Sequence, residues 1–355
     1  MERRMMRKTT LRLQVDSAVI DSAQSRASIA HGAELLRSGG TVAFPTETVY
    51  GLGANALNAN AVAEIFAAKE RPAWDPLIVH ISDAAMLAHV TREIVPAARK
   101  LMEAFWPGPL TLLLPRDQTV PDAVTAGRDL VGVRMPRHVV ARALITAAQV
   151  PIAAPSANRF GRTSPTTADH VLEDLDGRID AVIDGGPTEL GVESTVVAAS
   201  ESGIVCYRPG VITQEQMESV VGSVTMFLPP PNDTPPQALP SPGVGLRHYA
   251  PRARLILVEA DNTSALQSKL LKAGADLAVG GDFVGVMLPS EWQQTPQVRA
   301  IYHWGDWQDC DALAERLFAG LRELDAAGVS VIVCPLPAAR GVGVAIRDRL
   351  LKAAR

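Results

Sequence analysis

The chain has 355 residues, 47% of them hydrophobic and 20% charged, with a net charge of −4. That balance is globular, allows two domains, and excludes a chain-wide basic footprint for nucleic acid, leaving a local basic cavity open. Three widely spaced cysteines, Cys206, Cys310 and Cys334, offer neither a disulfide framework nor a zinc spacing, and no run of about eighteen apolar residues suits a membrane.

Residues 1–24 begin MERRMMRKTTLRLQV, basic without a secretory apolar core. They read as a loosely held lead-in, with Met5 or Met6 a candidate start, and the expected location is cytoplasmic. Ile29, Ala33 and Leu36 at helical spacing predict a helix over 25–38 that closes at Gly39 and Gly40. Residues 41–44 then read as a buried strand, and Pro45 as the point where the backbone leaves the sheet. Beyond it, Thr46, Thr48 and Tyr50 can offer hydroxyls. Gly51 and Gly53 lack the Cβ that would hold a ligand away from backbone N–H groups.

A helix over 60–69, with Val62, Ile65 and Phe66 on one face, delivers Lys69 and Arg71. Pro72 and Pro76 stiffen the loop that keeps Lys69, Arg71 and Asp75 together before the strand at 77–81, which carries His80. Two cations beside a hydroxyl-rich turn suit a polyphosphate, although a helix end attracts cations in any case.

Ser82 and Asp83 cap a short helix, and a longer one over 92–105 stops at Trp106, Pro107, Gly108 and Pro109. Strands are expected at 110–114, 130–135 and 151–154, with a helix over 139–148. Arg134 lies within an otherwise apolar strand, so its charge must be paired or face a cavity. His80 is a core histidine or a ligand group on the same reasoning. From Ala154 to Thr166, Ser156, Asn158, Gly161, Thr163 and Ser164 follow a strand and precede a helix; strand-end loops bind ligands in open sheets, and an ordinary serine-rich turn looks the same.

Arg208 is a further cation, Gly185, Gly186 and Ser194 sit in small polar turns, and Thr213 with Gln216 forms a capping box for a helix over 214–221. Seven prolines in the fourteen residues 229–242 make a stiff linker. Beyond it, strands at 254–259, 277–279, 284–288 and 329–334 and helices at 264–273, 309–327 and 344–353 predict a smaller Rossmann-like unit. RGVGVAIRDRLLKAA reads there as a strand-to-helix turn, since it lacks G-x-G-x-x-G. The fold class is α/β, a mixed twisted sheet with helices followed by this second domain.

Seven segments in order resemble the YrdC-like family in its long form: FPTETVYGLGA, K-x-R-P-x-x-x-P-L-I-V-H at 69–80, PGPLTLLLPR, VGVRMPRH, APSANRFGRTSPT, ESTVV and YRPG, followed by SPGVGLRHYAP at 241–251. The resemblance implies a catalytic domain over 25–222 with helices around a basic cavity, a linker and lid over 223–251, and a C-terminal domain over 252–355. It implies a nucleotidyltransferase that makes L-threonylcarbamoyladenylate and pyrophosphate from L-threonine, bicarbonate and ATP. The product would pass to a tRNA threonylcarbamoyl transferase complex for modification beside the anticodon.

By the same resemblance Lys69 and Arg71 take the phosphates and are the catalytic pair. Asp75, Ser156, Asn158, Ser164, Arg208 and Tyr249 complete the ATP site, and Thr46, Thr48, His80, Arg134, Ala154 and Ser194 hold threonine and the carbamate. Asp75 stands where the family often has Asn, a negative charge that either weakens ATP binding or helps hold Mg²⁺. That ion is expected with ATP, held mainly by phosphate oxygens rather than by a protein cage. Two other readings stay open: a double-stranded RNA binding module of the same fold, with weak tRNA contact, and a carbamoyl-adenylate-forming relative that transfers to a thiol.

Overall fold

A computed structural model describes residues 8–201, 203–228, 241, 248–292 and 298–355. The expected linker and lid therefore lie largely outside the described residues. Contacts divide the chain into two units, Met1–Phe160 with Pro165–Glu189 and Glu193–Gly245, and Gly161–Ser164 with Leu190–Val192 and Leu246–Arg355.

The first unit runs β1 (Leu11–Gln14), α1 (Ala23–Arg37), β2 (Val42–Pro45), β3 (Tyr50–Asn55), α2 (Ala59–Lys69), β4 (Ile78–His80), α3 (Ala84–Leu87), α4 (Pro96–Phe105) and β5 (Leu110–Pro115). It continues α5 (Asp122–Thr125), β6 (Leu130–Arg134), α6 (Val139–Ala148), β7 (Ile152–Ala153), α7 (Ala168–Leu175), β8 (Ala181–Asp184), β9 (Thr195–Ser200), β10 (Gly203–Arg208), α8 (Gln214–Val221) and β11 (Val224–Met226). The strands form one mixed sheet of eleven, in the order β1-β8-β2-β3-β7-β4-β6-β5-β9-β10-β11.

Alternation along each strand gives this sheet two unlike faces. Ala43, Leu52, Val79, Leu112, Val133, Ala153 and Val197 point to one face and share a core with residues of α2, α4, α7 and α8. The residues between them point the other way. There Val42, Phe44, Ile152 and Ile183 are covered by α1 and α6, while His80, Arg134 and Thr111 occupy equivalent positions farther along the sheet.

Three sequence expectations change. The lead-in is not loose at 11–14, because β1 pairs in parallel with β8 from Leu11↔Ala181 to Gln14↔Asp184. Pro45 does not take the chain out of the sheet: it stays opposite Tyr50, and the chain turns straight back as a hairpin. Gly51 and Gly53 are accordingly strand residues rather than a ligand-facing turn. A Cβ on Gly53 would lie 2.7 Å from Phe44 Cε1 and 2.8 Å from Ile152 Cγ2, so glycine here admits side-chain packing. Helix α4 also starts later than its apolar spacing suggests. Pro96 occupies its first turn, and Arg92 N bonds Pro115 O at 3.1 Å, holding the preceding residues beside β5.

The second unit contains β12 (Arg254–Val258), α9 (Thr263–Val279), β13 (Val284–Pro289), β14 (Ala300–Gly305), α10 (Cys310–Ala326), β15 (Val331–Pro335) and α11 (Gly343–Ala353). Its sheet, in the order β12-β15-β13-β14, is parallel throughout. Helix α9 packs on the face carrying Val284, Val286 and Leu288. Helix α10 packs on the opposite one, where Gly320 admits Tyr302 and Met287. Residues 277–279 continue α9 instead of forming a strand, and β14 was not anticipated. The glycine turn before α11 satisfies its own backbone, with Gly343 N bonded to Arg340 O at 3.0 Å, as a strand-to-helix turn should.

Gly53→Ala should lower the stability of the folded chain by about 1–3 kcal/mol through overpacking. Urea unfolding measures this, and an unchanged midpoint would show that Phe44 and Ile152 can move aside.

Candidate active site

The polar face of the large sheet is organised around Arg134, at the end of β6. Register places it beside His80 across the parallel β4–β6 pair. Its Nη2 lies 2.7 Å from Glu47 Oε1, and the two side chains are 4% and 0% exposed. Nη1 donates to Thr48 Oγ1 at 2.9 Å, and Nε to Gly108 O at 3.3 Å. Thr46 Oγ1 lies 2.8 Å from Thr48 Oγ1 and donates to Val49 O at 2.7 Å. Since that bond uses the Thr46 proton, the Thr48 hydroxyl donates to Thr46 and accepts from the guanidinium. The hairpin turn Thr46–Thr48–Val49 is thus a cradle holding the planar cation in one orientation.

Electrostatics follow from burial. Removal from water pushes the Glu47 carboxyl up, but the Arg134 guanidinium outweighs it and holds the carboxyl below its ordinary value. His80 is pushed down to about 3, first by burial and then by the Arg134 charge, so it is a neutral imidazole at physiological pH. Its ring meets Phe44 edge-on, with centroids 6.3 Å apart. Ala154, also expected here, is 4% exposed, and its N–H bonds Ile78 O at 2.8 Å.

Ser194 and Arg208, assigned by resemblance to different substrates, are joined directly. Arg208 Nη2 donates to Ser194 Oγ at 3.1 Å and its Nε to Ser194 O at 3.1 Å, while Thr111 Oγ1 lies 2.8 Å from Ser194 Oγ. A β-bulge between Cys206 and Arg208 sets this up by shifting register so that Arg208 stands opposite Val196. Without it, period-two alternation would aim Arg208 the same way as Cys206, into the apolar core.

The expected phosphate cations lie around the C-terminal end of α2. Glu70 takes the left-handed conformation there (φ 55°), ending the helix just beyond Lys69. Lys69 is 1% exposed, and its Nζ donates to Ser156 O at 2.6 Å and Asn158 O at 2.5 Å, so it shapes the backbone of the 154–160 loop. Burial, then the Arg71 charge, pushes its ammonium well below the ordinary lysine value. Arg71 donates to Asp75 O at 3.0 Å and Pro76 O at 2.7 Å, and forms an ion pair with Asp75 Oδ2 at 3.0 Å, both side chains being buried. Asp75 thus serves as counter-ion to Arg71. Asn158 Nδ2 bonds Arg159 O at 2.8 Å, and Ser156 bridges Gly51.

The Sua5/YciO/YrdC family model, described as telomere recombination, matches residues 34–210 and so contains all of these groups. A model described as the C-terminal domain of threonylcarbamoyl-AMP synthase matches 212–355. The chain belongs to the Sua5/YciO/YrdC family. A threonylcarbamoyl-AMP synthase from Pyrococcus abyssi is 43% identical over 321 residues, 90% of this chain and 92% of the relative. One from Bacillus subtilis is 44% identical over 92% of each chain. The crystal structure of P. abyssi Sua5 complexed with L-threonine superposes with a TM-score of 0.90 at 41% identity, covering 97% of this chain and 98% of that one.

Within this family member, the remaining expected residues, Ser164 and Tyr249, fall in the second unit. The Tyr249 ring stacks on Phe318 with centroids 5.7 Å apart, and the Arg349 guanidinium lies 5.2 Å from its centre. Sequence reading missed Glu47 and Thr111. Each left a trace: Glu47 is the one acid in FPTETVYGLGA, and Thr111 is the one residue other than leucine at 110–114. No group of three or more His, Cys, Asp or Glu among the described residues is placed to hold a metal, and none of the described helices is long and apolar enough to cross a membrane.

His80 also predicts a pH effect. Its folded value of about 3 lies below the ordinary 6.5, so the unfolded chain binds the extra proton, and stability falls as pH drops from 6.5 towards 3. On going from about pH 7.5 to about pH 5.5, His80→Gln should lose about 1 kcal/mol less stability than the wild type. Parallel losses in urea unfolding would mean that His80 is not the group titrating.

Proposed function

We propose that this chain is a threonylcarbamoyl-AMP synthase, a nucleotidyltransferase that converts L-threonine, bicarbonate and ATP to L-threonylcarbamoyl-AMP, pyrophosphate and water. The observation that supports it most is the buried Arg134 cradle, on the polar face of a sheet otherwise packed with aliphatic side chains, in a chain that matches a threonine-bound relative along nearly its whole length. A guanidinium whose orientation is fixed by Glu47, Thr48 and Gly108 suits bidentate binding of the threonine carboxylate. Neutral His80 beside it adds no second positive charge, while Thr46, Thr48, Ala154 and Ser194 surround the amino acid and its carbamate.

The threonine amine attacks bicarbonate carbon, forming the N–C bond and releasing water. A carbamate oxygen then attacks the α-phosphorus, and the bond to the β-phosphate oxygen breaks in line as pyrophosphate leaves. Neither step needs a side-chain nucleophile, so positioning and charge stabilisation carry the rate. Lys69 and Arg71 serve the phosphates, with Ser156, Asn158, Ser164, Arg208 and Tyr249 around the nucleotide. Asp75 acts by holding Arg71. Mg²⁺ bound with ATP would neutralise phosphate charge, held by phosphate oxygens and water. The product supplies a cytoplasmic tRNA threonylcarbamoyl transferase complex.

A double-stranded RNA binding module has less support. Duplex phosphates are reached by exposed cations, whereas Lys69, Arg134 and Arg208 are each at most 4% exposed.

Pyrophosphate release from ATP and bicarbonate should require L-threonine and fall sharply with L-serine; indifference to the amino acid would sink the assignment. The double variant Arg134→Ala with Glu47→Gln removes the guanidinium without stranding a buried carboxylate. It should lose threonine affinity far more than ATP affinity, and equal losses would take Arg134 off the carboxylate.

A further inference from the structure

Helix α10 holds three short segments that are remote from it in sequence, each carrying or adjoining a residue of the proposed site. The first is Gly161–Ser164. Arg322, near the end of α10, donates from Nη2 to Thr163 O at 2.5 Å and reaches Ser164 O from Nε at 3.5 Å. Ser164 itself is fully buried. The second is Leu190–Val192, which leads into Ser194. A Cβ on Gly191 would lie 2.3 Å from Ala314 O and 2.5 Å from Glu315 Cα, so this backbone rests directly against the helix (φ +70°). The third is Tyr249–Ala250. Tyr249 stacks on Phe318 of the same helix, and a non-glycine residue there keeps a left-handed backbone (φ 65°) that unaided chain avoids.

The first and third segments are also tied together. Ala250 N bonds Gly161 O at 2.8 Å, and Thr163 Oγ1 donates to Tyr249 O at 3.4 Å. Such arrangements cost conformational entropy and backbone strain, and a turn needs none of them merely to connect two elements.

We infer that Arg322 is a positioning residue for ATP: its bonds to Thr163 O and Ser164 O set the backbone of the Ser164 loop, and with it the affinity of the nucleotide site to which Ser164 is assigned. On this reading Arg322 acts through these two carbonyls. Its planar fork spans two successive carbonyls, fixing the peptide between Thr163 and Ser164, whereas a lysine ammonium is a compact donor that lacks this fixed plane. The inference rests on the functional reading above, since it needs Ser164 to belong to a nucleotide site.

The test uses the full chain. ATP and L-threonine binding are titrated separately by calorimetry for the wild type, Arg322→Ala and Arg322→Lys, with hydrogen exchange followed across 161–166. Arg322→Ala should weaken ATP binding on the order of tenfold, about 1.4 kcal/mol. Arg322→Lys should recover part of that loss, threonine affinity should stay within about twofold, and exchange should quicken at 161–166 but not along α10. ATP binding by the wild type that both variants leave unchanged overturns the inference alone. A parallel fall in threonine affinity also overturns it, because general loosening would act on both ligands. A wild type that binds no ATP overturns the functional reading and this inference with it.

Discussion

A strand points successive side chains to opposite sides, and the large sheet depends on that constraint. The apolar set at Leu112, Val133 and Val197 buries one side under helices. Any residue one step out of phase is then committed to the other side, whatever its polarity. Arg134, His80 and Thr111 are out of phase in this sense. A single-residue slip in β6 would drive Arg134 into the aliphatic core, a far more costly place for a charge than beside Glu47. The apolar face thereby fixes the register that assembles the polar one.

The buried cations of this unit are engaged by the chain itself. Arg134 meets Glu47, Arg71 meets Asp75, Lys69 holds two carbonyls, and Arg208 grips Ser194. Buried charges without partners would destabilise the fold, and the carboxylates and carbonyls offset that cost while keeping each donor in a fixed geometry. Lys69 shows a further consequence. Burial and the Arg71 charge push its ammonium well below the ordinary lysine value, and the negative charge of a polyphosphate would oppose that shift.

The second unit has its own parallel sheet, and helix α10 on that sheet is also where Gly161–Ser164, Leu190–Val192 and Tyr249 are held. Two of these segments come from the middle of the chain, inside stretches that read as part of the catalytic domain. Chain order and contact order therefore disagree at 161–164 and 190–192, so a cut at residue 251 would sever α10 from segments it supports.

By itself the sequence determined the elements with strong local signals. The helix Val139–Ala148 and the capping box from Thr213 to Gln216 follow from periodicity and cap chemistry alone. The ordered segments from FPTETVYGLGA to YRPG placed the chain in its family, because several distinct motifs in one fixed order make a specific signature. Tertiary structure alone decided the partners. Glu47 and Arg134 are distant in sequence, and nothing local in either segment selects the other. Arg208 faces Ser194 only because a bulge breaks its strand's alternation. Residues 11–14 become a strand only because β8 offers an edge, and Gly53 is required by Phe44 and Ile152 rather than by a turn. Local propensity acts over a few residues, whereas charge pairing, register and close approach depend on chain segments that meet only after folding.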